Sequence, residues 1–110
     1  MTQTASLAAV DAPAGRIEGR TEGNLSVFRG IPYAEPPIGD MRFQPPRRIT
    51  RYPHTIDAQH FAPSPQQSPA FLEIAPGVDL FAGIGEKSED CLALNVWTPG
   101  TSGSRPVMVW

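Results

Sequence analysis

The sequence predicts a chain built mainly from antiparallel β-strands and extended loops, and three observations carry that prediction. Leu92, Leu94 and Val96 alternate with Ala93, Asn95 and Trp97, the period-two pattern of a strand. Pro32, Pro36, Pro37, Pro45 and Pro46 crowd residues 30–46, where each removes a backbone donor and biases its predecessor toward extended geometry. No stretch has the 3.6-residue apolar period of a long amphipathic helix.

Taken in order, residues 1–13 are small and polar without a period and read as a flexible leader. From Gly15 the pattern changes. Residues 15–20 and 25–28 flank Thr21-Glu22-Gly23-Asn24, which predicts a β-hairpin turning at Glu-Gly-Asn. An isolated hairpin is marginal in water, so it must pack on something. Residues 30–46 follow as a fixed, extended loop in which Ile31, Tyr33 and Phe43 are expected to be buried anchors. A proline-rich ligand for a peptide-binding domain is the alternative there, and those apolar anchors argue against it.

Weak alternation surrounds Thr55-Ile56-Asp57-Ala58. Residues 64–69 are a polar connector. Residues 70–75 have modest helical character ended by Pro76-Gly77, and residues 78–84 read as loop with a short helical turn. The strand over 92–97 is stopped by Pro99-Gly100 and a polar turn over 101–104. Val107-Met108-Val109-Trp110 is then a continuous apolar run, as expected of a strand covered on both faces.

Two of these stretches carry a family resemblance. Ser88-Glu89-Asp90-Cys91-Leu92, followed by Leu94-Asn95-Val96-Trp97, resembles the signature of type-B carboxylesterases, the cholinesterase-like branch of the α/β-hydrolases. A second match lies upstream: Phe28-Arg29-Gly30-Ile31-Pro32-Tyr33-Ala34, then Pro36-Pro37, Gly39 and Arg42-Phe43. The resemblance implies an α/β fold class, of which this chain would be the N-terminal, mainly antiparallel β and extended-loop portion with an incomplete sheet. Residues 14–110 would be the first part of a carboxylesterase type-B domain, ending before its oxyanion-hole loop, and the helices would lie downstream. The resemblance also implies a buried ion pair between Arg42 and Glu89, tying the proline-rich loop to the strand region. Departures from the family are His54, where a tryptophan is usual, and Ser64 or Pro65, near the point where many secreted members carry the cysteine that pairs with the one at Cys91.

Composition narrows the function classes. The 110 residues permit one domain at most. Nine basic against eleven acidic residues give a net charge of −2, which supports neither a nucleic-acid nor an anionic-membrane partner. Arg47, Arg48 and Arg51 form the one basic cluster and read as a solvated loop. Ten glycines and thirteen prolines mark a turn-rich chain rather than a disordered one. Cys91 is the single cysteine, so no intrachain disulfide forms. Leu7-Ala8-Ala9-Val10 is too short for a signal-peptide core, and no run approaches the roughly 18 apolar residues of a bilayer span. The expectation is a cytoplasmic protein with Cys91 as a buried structural thiol, since Glu89 and Asp90 disfavour a thiolate.

The search for chemistry returns little. Gly-x-Ser-x-Gly, the turn that exposes a hydrolase serine, is absent; Gly100-Thr101-Ser102-Gly103-Ser104 lacks the last glycine and leads into a strand. Gly83-Ile84-Gly85-Glu86-Lys87-Ser88 lacks the Gly-Lys-Ser of a phosphate loop. His54 and His60 are spaced for neither one helical face nor a shared metal site with Cys91. No residue is assigned a catalytic, cofactor-binding or metal-binding role. The expected function is that of the N-terminal segment of a serine carboxylic ester hydrolase, inactive by itself, needing no cofactor. Its partners would be the remainder of the hydrolase domain and, for the complete enzyme, a small-molecule ester. Two other readings stand beside it: a truncated or split gene product without independent function, and a non-catalytic interaction protein of the same fold.

Overall fold

A hairpin whose turn is set by sequence organises the structure, a computed structural model that describes residues 6–67, 73–75, 78–79 and 86–110. Strands β2 (Gly15–Glu22) and β3 (Leu25–Pro32) run antiparallel about the expected turn, with Gly23 at φ +59 between them. Their direct pairing covers only Arg20↔Val27, Thr21↔Ser26 and Glu22↔Leu25. Beyond those three pairs the strands part, and the gap is filled from elsewhere in the chain.

The filler is β4 (Ile56–Asp57), which lies parallel to β2 with Ile17 opposite Ile56. The next residue, Ala58, is fully buried and bonded on both sides. Its N–H donates to the Glu18 carbonyl at 2.7 Å, and its carbonyl accepts the Arg29 N–H at 2.7 Å. The small side chain of Ala58 is wholly enclosed there. Ile17, Phe28, Ile56 and Ala58 form the core, with Ala8, Val10, Ala12, Ile31 and Tyr52 packed around it.

Of the leader expected over residues 1–13, the described part, residues 6–13, is largely sheet. Strand β1 (Leu7–Ala12) pairs antiparallel with β2 along its whole length, from Leu7↔Arg20 to Ala12↔Gly15. Alanine-rich strands bury little per residue, so no polar–apolar alternation announces one. Backbone bonding to β2 and the packing of Ala8, Val10 and Ala12 on the core hold it.

Residues 73–75, read from sequence as the end of a helical stretch, form β5 (Glu73–Ala75), antiparallel to β6 (Val78–Asp79). The rest of that expectation, residues 70–72, the Pro76-Gly77 stop and residues 80–84, lies outside the described residues, as do Gly83 and Gly85 of the phosphate-loop candidate.

Strand β7 (Ala93–Thr98) appears within a residue of its expected place and pairs with β3, giving the order β1-β2-β3-β7 with β4 alongside β2. The final apolar run behaves otherwise. Val107, Met108, Val109 and Trp110 are 84–112% exposed and form no strand. Among the described residues nothing supplies the ladder and the two covering faces that such a run needs.

Candidate functional site

The two stretches singled out from sequence meet in the sheet. Phe28 lies opposite Val96, and Ile31 opposite Leu94. The register shifts between these pairs, so Arg29 and Gly30 form an irregularity opposite Asn95. Gly30 adopts φ +76, and its N–H, lost to the ladder, donates to Asn95 Oδ1 at 2.9 Å. The other side of Gly30 is equally crowded: a β-carbon there would stand 2.6 Å from the His60 carbonyl oxygen. Glycine and asparagine at these two positions therefore answer one another across the strand pair.

Arg29, beside the bulge, has a packed setting. Its guanidinium donates to both carboxylate oxygens of Glu22, at 2.6 and 3.2 Å. It lies over the rings of Phe61 and Trp97, 5.1 and 5.7 Å from their centroids. The Arg29 hydrogen bonds hold the Glu22 carboxyl below its ordinary range, against a smaller upward push from desolvation. Glu22 in turn holds the Arg29 guanidinium more firmly protonated.

Beyond β3 the proline-rich segment is extended except for a 3₁₀ turn at Gly39–Met41. Ile31 packs against the core as expected, but Tyr33 is 46% exposed and Phe43 fully exposed, at a φ of +61. Tyr33 is covered in part by the neighbours with which it lines a cavity, among them Pro37, Met41 and Leu92, whereas Phe43 gains no cover among the described residues. Arg42 and Glu89 do meet, Nη2 to Oε2 at 2.7 Å. Their side chains remain 55% and 41% exposed, so the pair is a solvated bridge and not the buried one that the resemblance implies. Water screens such a pair and reduces its contribution to stability.

Cys91 is partly buried rather than fully so. It lines a cavity of about 280 Å³ together with Arg42, Phe43, Ser88 and Glu89. Pro65, one of the two residues near the point where the resemblance would set a second cysteine, lines the same cavity. The connector carrying it is tied down by Ser64 N–H to the Glu86 carbonyl and Ser88 N–H to the Ser64 carbonyl, both 2.9 Å.

A larger cavity, about 430 Å³, opens on the other side of the proline-rich segment and includes Arg48, Arg51 and His54. Sequence reading assigned these arginines to a solvated loop; the concavity beneath them arises from a long-range bridge, Ala34↔Arg48, which no local pattern signals. Tyr52 closes one wall. Its N–H donates to the Ala14 carbonyl at 2.7 Å and its hydroxyl to the Pro32 carbonyl at 2.8 Å. Burial raises the pKa of that phenol.

His54 and His60 are both exposed. Among the described residues no three His, Cys, Asp or Glu side chains converge as metal ligands, and no helix is long and apolar enough to cross a membrane. The described residues assemble no nucleophile with a base.

Comparison with known proteins places this geometry. Residues 6–110 match the model of the Carboxylesterase family. Phenmedipham hydrolase of Pseudarthrobacter oxydans is 44% identical over 101 residues, covering 88% of this chain and 20% of that protein. Para-nitrobenzyl esterase of Bacillus subtilis is 35% identical over 97 residues, covering 87% and 19%. Among solved structures, a carboxylesterase of Geobacillus stearothermophilus superposes with a TM-score of 0.66 at 30% identity, covering 88% of this chain and 17% of that one. A PNB esterase structure gives a TM-score of 0.67 at 32% identity, covering 84% and 18%. The chain spans about a fifth of the length of the curated relatives it matches.

Proposed function

Because this chain belongs to the carboxylesterase family, we propose that it is the N-terminal section of a serine-dependent carboxylic ester hydrolase. One observation carries the reading. The two sequence stretches that resemble the family lie side by side as β3 and β7, joined by the Gly30–Asn95 hydrogen bond and the Arg42–Glu89 bridge. Separate stretches 65 residues apart thus form one structural unit.

In this reading the section contributes architecture rather than chemistry. β1, β2, β3 and β7 form the first strands of the sheet, and the proline-rich segment forms part of the wall around the substrate. The nucleophilic serine, its histidine and acid, and the backbone donors of the oxyanion hole belong to the part of the relatives' length that this chain does not span. There a serine activated by histidine would attack the ester carbonyl, expel the alcohol and leave an acyl-serine that water hydrolyses. No cofactor is required. The remainder of the hydrolase domain is the proposed partner, and an ester the proposed substrate of the whole. We place the protein in the cytoplasm, since Ser64 and Pro65 stand near the point where secreted members carry the partner of Cys91, which is a free thiol here.

Hydrolysis of a short-chain p-nitrophenyl ester tests the proposal. The purified chain is expected to show no turnover above buffer. The same chain continued by the rest of a carboxylesterase domain is expected to hydrolyse the ester and to be silenced by a serine-directed inhibitor. Inhibitor-sensitive turnover by the 110-residue chain alone would refute the assignment of the catalytic groups elsewhere.

A further inference from the structure

We propose that the cavity beneath Arg48, Arg51 and His54 is a binding site for an amphiphilic monocarboxylate, a carboxylate head on a short apolar tail. The inference rests on residues of this section alone, although Pro32, Ala34, Glu35 and Pro36 of its lining belong to the proline-rich segment that the hydrolase reading sets around the substrate. The cavity measures about 430 Å³, within the range of small-molecule sites. Its apolar lining includes Pro32, Pro36, Ile49 and Pro53, backed by Ala34 and Ile56, which are 4% and 8% exposed. Its rim is cationic. Arg48 and Arg51 stand on it, and none of the ion pairs among the described residues uses either one.

The rim is set by backbone, which distinguishes it from a loose basic loop. Arg48 bridges to Ala34, the Glu35 N–H donates to the Arg47 carbonyl at 2.8 Å, and Tyr52 is bonded at both its amide and its hydroxyl. Two arginines thus project from a segment anchored between and beside them. Guanidinium groups suit a carboxylate because they can present paired N–H donors to its two oxygens. His54 adds a further polar group at the mouth.

Two acidic residues also line the cavity. Glu35 is engaged by Arg47 at 3.7 Å, which offsets its charge. Asp90 donates its backbone N–H to Ser88 Oγ, and its carboxylate has no ion-pair partner among the described residues. It opposes an anion and limits the site to a single negative charge, which favours a monocarboxylate over phosphate.

Calorimetric titration of the full chain with acetate, butyrate and hexanoate tests the site, with 1-hexanol and inorganic phosphate as comparators. Saturable binding is expected for hexanoate, each added methylene tightening it by up to about fourfold where it is fully buried. Hexanol, lacking the charge, and phosphate, lacking the tail, bind more weakly. The double variant Arg48→Gln/Arg51→Gln, confined to the exposed rim, is expected to lose at least about tenfold in hexanoate affinity. Asp90→Asn is expected to gain. Affinity independent of tail length, phosphate binding as tight as hexanoate, or variants that leave hexanoate affinity unmoved would each overturn the proposal.

Discussion

Replacing Gly30 by alanine probes the junction on which the β3–β7 pairing depends. Two separate costs apply. At φ +76 an L-residue is in the left-handed region, which costs about 1–2 kcal/mol. The new β-carbon would also stand 2.6 Å from the His60 carbonyl oxygen and 3.1 Å from the Ala62 nitrogen. Both atoms are main chain, so no side chain can rotate away, and the relief must come from moving a backbone segment. Overpacking of that kind adds about 1–3 kcal/mol. The expected loss is about 2–5 kcal/mol, a large share of the 5–15 kcal/mol typical of a folded domain. Gly23 supplies an internal control, with φ +59 and nothing within 4 Å of an added β-carbon. Gly23→Ala carries the backbone cost alone, about 1–2 kcal/mol. Urea unfolding followed by far-UV circular dichroism compares the two. With a slope of about 1 kcal/mol per molar urea, Gly30→Ala should unfold about 1–3 M below Gly23→Ala. Equal midpoints would refute the close approach of residues 60–62 to the backbone of β3.

Three further outcomes are expected. Glu89→Ala should move the urea midpoint no more than an ordinary surface substitution does, because the Arg42–Glu89 bridge is solvated; a large loss would restore the buried pair. Glu22 has its folded-state pKa depressed, so its contribution to stability is present above the unfolded value of about 4.3 and is lost as pH falls through the folded value. Glu22→Gln should therefore flatten the acid limb of a stability–pH profile, and an unchanged limb would count against the Arg29–Glu22 link. Deleting residues 1–12 removes β1 and with it the packing of Ala8, Val10 and Ala12 on the core. A measurable drop in thermal midpoint is expected, whereas a dispensable leader would leave it unchanged.

What sequence could reveal followed the range of the forces involved. The β2–β3 hairpin was legible because Glu22-Gly23-Asn24 and the flanking strands form one local signal. β7 was legible through alternation, and the family through two ordered stretches. β1 was not, because an alanine-rich strand is held by its partner's backbone rather than by a pattern of its own. The insertion of β4 was no clearer: weak alternation around Ile56 marks a strand but cannot say that it enters a gap 39 residues upstream, the separation of Arg20 and Gln59. Val107-Met108-Val109-Trp110 shows the converse failure, where composition implies cover that the described residues do not provide. At the site, Arg42 and Glu89 were paired correctly, but their exposure depends on what surrounds them. Arg48 and Arg51 were read as solvated and are exposed, but the concavity beside them, made by a bridge to Ala34, leaves no mark on neighbouring residues.

The parting of β2 and β3 sets an order of events in the life of the chain. As residues emerge during synthesis, the turn at Gly23 can close at once, yet only three residue pairs can zip before the strands diverge. The hairpin then waits, open at its base, until Ala58 arrives to bond both edges, and β3 waits longer still for Asn95, 65 residues beyond Gly30. Contacts this distant make closure slow compared with local folding. Throughout that interval Phe28 and Ile17 have no Ile56 to meet. A pause in translation before residue 56 is therefore expected to prolong the exposure of both side chains.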